Sequence, residues 1–276
     1  MACFSAPMYK YLPRLMLLSI VLSLLSLSAA ATESDNQETA PECRDNCTLV
    51  IASDTQVLTL INPKRSATAL SPFSTFKIPN SLIALDLGVI KNLQQPLSFD
   101  KSDYPVQAGW PKIWYEKPVD LRTAFQNSAV PVYRQLATDI GVAKMQAYLD
   151  KFNYGNKDIS SGLDSFWLNG SLKISADEQI VFLKSLYHGE LAVNPNSLAK
   201  LKQVMLVEQT PDYRLYAKTG GGKLDSGKSL GWYVGYVENS DGVFYFAMNL
   251  EGDKFWPTMK KRLPIMRSAL QQAGII

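Results

Sequence analysis

Five strand-like runs sit at the two ends of this chain, and that placement most constrains its fold. Residues 48–51 and 56–61 alternate or cluster β-branched and apolar residues around the short turn Ser53-Asp54-Thr55. Residues 213–218, 230–237 and 243–250 do the same with more aromatics, and Asn239-Ser240-Asp241-Gly242 is a strong turn between the last two. Between these ends, residues 121–125, 131–140, 142–152 and 176–187 carry apolar residues at helical spacing, and an amphipathic stretch over 256–273 closes the chain. The economical arrangement is an α+β fold, layered as an α/β sandwich. One antiparallel sheet is built from both chain ends and flanked by helices, with a helical subdomain inserted over about 86–211. The seam between sheet and insert is the expected place for a site. No internal repeat or low-complexity segment is present.

Residues 1–31 read as a secretion leader. Lys10 and Arg14 supply a basic start, 15–27 is an apolar run short for a bilayer, and Ala29-Ala30-Ala31 suits cleavage. The mature chain is then expected to run from about Thr32 to 276 as a single exported domain, its first residues polar and loose, with no membrane segment after cleavage. The balance is 28 basic against 25 acidic residues, two of the basic ones in the leader, which gives no nucleic-acid footprint. Cys3 leaves with the leader. Cys43 and Cys47 are an even pair suited to a small disulfide ring, which needs a turn between them; whether they are joined is open at this level. No histidine or further cysteine lies nearby to make them a metal site, and no metal is expected elsewhere.

Ser74-Thr75-Phe76-Lys77 is the most suggestive short pattern, because His188 is the only histidine in 276 residues. A serine nucleophile needs a base, and Lys77, three residues on along a helix, shares its face. Ser71-Pro72 reads as a helix start, which puts Ser74 near unpaired backbone N–H groups. His188, at a helix end, reads as a surface residue. A second pattern, Gly222 to Ser229, satisfies G-x-x-x-x-G-K-[ST], yet the residues that follow read as strand rather than helix, so it is a hairpin turn and not a phosphate loop. Lys218-Thr219-Gly220 puts a cation and a hydroxyl at the end of a strand, an arrangement suited to a substrate carboxylate.

Taken together, these motifs resemble those of class D serine β-lactamases, the oxacillinase group. Ser74-Thr75-Phe76-Lys77 matches the nucleophile motif, Ser128-Ala129-Val130 the S-x-V motif, Tyr154-Gly155-Asn156 the Y-G-N motif and Lys218-Thr219-Gly220 the K-T-G motif. Phe166-Trp167-Leu168 and Trp232-Tyr233-Val234-Gly235-Tyr236 match two further family segments. The order is that of the family over most of the mature chain. Gly221-Gly222 departs from it, since a bulkier residue is common there, and the departure is expected to widen that edge of the site.

The resemblance implies a periplasmic enzyme that opens the β-lactam amide through an acyl-Ser74 intermediate and so confers antibiotic resistance. It also implies that Lys77 takes up carbon dioxide and becomes N6-carboxylysine, the general base for both acylation and deacylation, with no cofactor beyond carbon dioxide or bicarbonate. A free lysine, with a pKa of about 10.4, is a poor base at neutral pH. Phe76, Val130, Trp167 and Leu168 are expected to make the apolar pocket that neutralises it, with Trp167 donating its indole N–H to the carbamate. The backbone N–H groups of Ser74 and Gly221 would hold the oxyanion, Ser128 would bridge to Lys218 and protonate the leaving nitrogen, and Thr219 with Arg262, rather than Arg267, would anchor the substrate carboxylate. Tyr154 and Asn156 read as scaffold, and Trp110, Trp114 and Tyr115 as the mouth. Two alternatives share the chemistry: a β-lactam sensor that acylates without turnover, and a cell-wall D,D-peptidase, against which Val130 speaks because such enzymes carry S-x-N.

Overall fold

The computed structural model describes residues 42–276. The leader reading, Cys3 and the first residues after the leader lie outside the described residues. Six strands, β1 (Cys47–Ala52), β2 (Val57–Ile61), β3 (Leu206–Gln209), β4 (Tyr213–Lys223), β5 (Ser229–Asn239) and β6 (Gly242–Gly252), form one sheet in the order β2-β1-β6-β5-β4-β3. Every pairing is antiparallel, and the two chain ends meet where β1 lies against β6, with Val50 opposite Ala247. The sheet from both ends is therefore observed.

Side-chain alternation explains the layers. Leu49 and Ile51 of β1, Tyr233 and Val237 of β5, and Phe246 and Met248 of β6 face one core, closed by Ile265, Met266 and Leu270 of the last helix. Val50, Trp232, Val234, Tyr245 and Ala247, one residue out of phase, face the larger core shared with the other helices. Because successive strand residues point to opposite faces, both faces of the sheet are apolar and both are covered. On β4 the same alternation sends Leu215 and Ala217 to the first core and Tyr216 to the second. Lys218 is the next residue to point toward the helical side.

The helices are α1 (Pro63–Ser66), α2 (Lys77–Asp86), α3 (Leu121–Gln126), α4 (Val130–Ile140), α5 (Val142–Phe152), α6 (Phe166–Asn169), α7 (Ala176–His188), α8 (Pro195–Met205) and α9 (Phe255–Gln272). Their ends follow local chemistry. Asp120 caps α3 through the Thr123 N–H, and Ser175 with Glu178 forms a reciprocal capping box on α7, which stops at Gly189 in the left-handed region. The sequence reading missed α8 and β3, and the short helices α1 and α6. The helical stretch ends at Met205, and Leu206–Gln209 already belongs to the sheet, a few residues inside the expected limit. Cys43 and Cys47 are joined by a disulfide, with Cα atoms 5.2 Å apart, and the turn their spacing requires is closed by the Cys47 N–H on the Arg44 carbonyl. Residues 224–228 turn β4 into β5, as expected of a hairpin.

Candidate active site

Phe73–Phe76 forms a single 3₁₀ turn that runs directly into α2, so Ser74 lies just before the α-helix rather than inside its first turn. The tighter turn matters. In a 3₁₀ helix residues i and i+3 eclipse, and the Lys77 Nζ donates to Ser74 Oγ at 3.0 Å. Phe73 holds φ 48°, a left-handed conformation that costs a non-glycine residue about 1–3 kcal/mol and that the surroundings must impose. They do so at several points. The Trp232 indole donates to the Ser71 carbonyl at 2.9 Å, the Lys173 amine to Ser71 Oγ at 2.8 Å, and Thr75 Oγ1 to the Pro72 carbonyl at 2.8 Å. Gln179 of α7, fully buried, donates to Thr75 Oγ1 at 3.1 Å.

Lys77 has no exposed surface, and burial alone pulls its amine down to about 7 from an ordinary 10.5. Its Nζ lies 4.9 Å from the centre of the Tyr133 ring. Phe76, next in the chain, stacks on Trp167 at 5.2 Å and meets Phe166 and Tyr154 edge-on. Val130 opens α4, and Leu168 packs half-buried on the same core. Among the described residues, the Trp167 indole N–H is buried without a hydrogen-bond partner. A buried donor left unpaired costs roughly 1–3 kcal/mol, so this N–H suits an acceptor group.

Across the seam, the Lys218 Nζ donates to Ser128 Oγ at 2.6 Å and to the Thr219 carbonyl at 3.0 Å. Burial first, then the positive charges of Lys77 and Arg262, hold the Lys218 amine well below its usual range. Ser128 itself stands at φ 53°, between α3 and α4. Arg262 of α9 crosses behind β4, its Nη1 donating to the Gly220 carbonyl at 2.5 Å and its Nε to the Met259 carbonyl. Gly231 makes that crossing feasible, because a Cβ there would stand 2.9 Å from Arg262 Cδ. Burial lowers the guanidinium to about 10. Arg267, by contrast, is engaged with Glu208 and Tyr213. Two buried amines and the half-buried Arg262 guanidinium thus share the site, and no carboxylate among the described residues hydrogen-bonds to any of them. Such a place attracts an anion.

The expected widening at Gly221-Gly222 is not there. A Cβ on Gly221 would stand 2.3 Å from Met259 Sδ, and one on Gly222 would stand 2.0 Å from Phe73 Cε1, so both spaces are already filled. A cavity of about 290 Å³ opens instead beside Lys218 and Thr219, walled by Phe125, Gln126, Tyr233 and Leu263. Tyr154 is buried against Phe76 and Phe182, and Asn156 bonds the Ser171 carbonyl and the Lys173 N–H, a scaffold arrangement. Trp110 and Trp114 pack together, and Tyr115 follows on the same loop. His188 ends α7, exposed and bonded to Asp54 at 2.7 Å, with no hydrogen bond to any of these site residues. Sequence reasoning missed Ser71, Lys173 and Gln179, which brace the Ser74 turn, and no motif marks them.

Residues 27–271 match the family described as the penicillin binding protein transpeptidase domain. The chain is 45% identical over 218 residues to β-lactamase OXA-48 of Klebsiella pneumoniae, covering 78% of each chain. It is 36% identical over 263 residues to β-lactamase OXA-10 of Pseudomonas aeruginosa, covering 92% of this chain and 95% of that one. Among solved structures it is similar to FUS-1 (OXA-85), a class D β-lactamase from Fusobacterium nucleatum subsp. polymorphum. The TM-score there is 0.77 at 34% identity, over 84% of this chain and 93% of that one.

Proposed function

Since this chain belongs to the class D β-lactamases and is a serine hydrolase of β-lactams whose activity gives antibiotic resistance, we propose that its turnover runs through an acyl-Ser74 intermediate with N6-carboxylated Lys77 as the base. One observation carries the proposal. Lys77 is fully buried, 3.0 Å from Ser74 Oγ, on a core that holds an unpartnered indole N–H on Trp167. Both features fit a carboxylated amine: burial supplies the neutral nitrogen that reacts with carbon dioxide, and Trp167 supplies a donor to hold the product. When bound, the carboxyl group supplies a carboxylate that accepts a proton from Ser74 and later from water.

The chain's own residues do the rest. Ser74 Oγ attacks the lactam carbonyl, and the backbone N–H groups of Ser74 and Gly221 receive the oxyanion that forms. Ser128, hydrogen-bonded to Lys218, hands a proton to the leaving nitrogen, and Lys218 restores it. Thr219 and Arg262 draw the substrate carboxylate to the K-T-G strand, where the Arg262 guanidinium, unpaired with any carboxylate among the described residues, favours it. Export to the periplasm follows from the leader reading of residues 1–31, and no helix among the described residues is long and apolar enough to cross a membrane.

The test uses a chromogenic cephalosporin and ¹³C-labelled bicarbonate. Many turnovers per enzyme, a carbamate carbon resonance that disappears in Lys77→Ala, and recovery of acid-suppressed activity by bicarbonate are expected. A single stoichiometric burst would contradict the hydrolytic cycle, and full turnover without the carbamate resonance would contradict carboxylation.

A further inference from the structure

The loop carrying Ser128 is held in a conformation that its own sequence does not favour. At φ 53° Ser128 occupies the left-handed region, where the L side chain crowds its backbone. What keeps it there is the orientation of the peptide unit between Asn127 and Ser128, because rotating that plane is how the chain returns to the ordinary right-handed basin. In the ordinary basin the Ser128 hydroxyl would leave the Lys218 amine, now 2.6 Å away.

Both ends of this peptide unit are bonded. Its N–H, on Ser128, donates to the Phe125 carbonyl at 3.1 Å, a local bond within the turn that ends α3. Its carbonyl, on Asn127, accepts the Trp114 indole N–H at 2.8 Å, from a segment 13 residues earlier in the chain. Neighbouring bonds, from the Asn127 N–H and Asn127 Nδ2 to the Thr123 carbonyl, stay inside the same turn and leave the plane free to rotate. Trp114 is itself located: it ends the 3₁₀ turn Lys112–Trp114, packs against the large core, and meets Trp110 at 5.8 Å, which in turn meets Phe99 edge-on. An aromatic stack on the loop thus delivers one N–H to the Asn127 carbonyl, the longer-range of the two bonds that fix this peptide plane.

We propose that Trp114 is a positioning residue for proton delivery, acting through the Asn127 carbonyl to hold Ser128 against Lys218. The inference rests on the reading of Ser128 as the group that protonates the leaving nitrogen. It assigns the indole nitrogen, not the ring surface, as the working part of the side chain, and it confines the effect to acylation, the half-reaction in which that nitrogen departs.

The experiment measures acylation and deacylation separately, by the pre-steady-state burst and by decay of the acyl-enzyme, with a chromogenic cephalosporin and bicarbonate present. Trp114→Phe removes the N–H and keeps an aromatic ring; benzothienylalanine at position 114 keeps the two-ring shape with sulfur in place of N–H, and serves if Trp114→Phe folds poorly. In either variant acylation should slow about fivefold, the factor carried by a hydrogen bond of ordinary net worth, while deacylation is unchanged. On a Ser128→Ala background the same replacement should cost nothing further, because a residue that works only through Ser128 has nothing left to position. Unchanged acylation in both variants, or an equal loss on the Ser128→Ala background, would overturn the role of Trp114. Normal acylation by Ser128→Ala alone would instead remove the reading of Ser128 on which the inference stands.

Discussion

Replacing Lys77 by methionine should make the protein more stable as it makes it inactive. The folded amine titrates at about 7 against an ordinary 10.5, so the fold works against the charged form. At roughly 1.36 kcal/mol per unit, a shift of this size costs about 5 kcal/mol where both states are protonated. The sign follows from proton counts. Below pH 7 both folded and unfolded chains carry the proton and the cost is present in full. Between about 7 and 10.5 the unfolded chain holds a proton that the folded one lacks, so stability rises with pH and the cost fades. Methionine fills a similar volume without charge. It gives up the hydrogen bond to Ser74 Oγ, worth about 1 kcal/mol, and the attraction of the amine to the Tyr133 ring, about 0.5–1 kcal/mol. The net gain is about 3 kcal/mol at pH 6, a rise in melting temperature of roughly 6–12 °C for a domain of this size. Thermal unfolding at pH 6 and pH 10 in bicarbonate-free buffer, followed by circular dichroism, measures it. The gap between variant and parent should be widest at pH 6 and close by pH 10. A variant less stable than the parent at pH 6 would refute the reasoning.

Arg262→Ala should raise KM for β-lactams roughly 10- to 100-fold, the worth of a charge-assisted bond, with a smaller effect on kcat. Arg267→Ala should leave KM alone and cost under about 1 kcal/mol of stability, since its exposed pair with Glu208 lies elsewhere; steady-state kinetics on both variants separates the two arginines. Trp167→Phe, which keeps a ring and removes the indole N–H, should raise the bicarbonate concentration needed for half-maximal activity about tenfold. An unchanged bicarbonate titration would remove that indole from the site's chemistry. Gly222→Val should displace Phe73 and disturb the Ser74 turn, costing about 1–3 kcal/mol in denaturant melts and slowing acylation.

The sheet was legible because its long strands are runs rich in aromatic and β-branched residues, buried on both faces, and because Asn239 to Gly242 announces a hairpin. β3 was not, since Leu206–Gln209 follows α8 with no turn residue between them. The start of α8 was hidden for a related reason: Asn194-Pro195-Asn196-Ser197 has the composition of a turn, and only its structure shows Asn194 capping a helix with Pro195 in the first turn. In the site, spacing alone foretold that Ser74 and Lys77 would touch. The meeting of Ser128 and Lys218, 90 residues apart, came only from the motif pattern. The bracing by Gln179, the Trp114 bond to Asn127 and the filled spaces at Gly221 and Gly222 arise from contacts between distant segments, which no local pattern encodes.

The place of β1 between β2 and β6 has a consequence in time. Thr48 to Ile51 find their partner strand about 200 residues later in synthesis, and the Ser74 turn is fixed in part by Trp232 and closed across the seam by Lys218 and Arg262. A nascent chain that stops short of β6 and α9 therefore carries the nucleophile without the frame that arms it. Because such distant pairings must form before they reward the ordering they demand, this topology makes slow folding intrinsic to the molecule. Hydrolytic power then arrives as one late event, when the last strand and helix dock, rather than growing as the chain emerges.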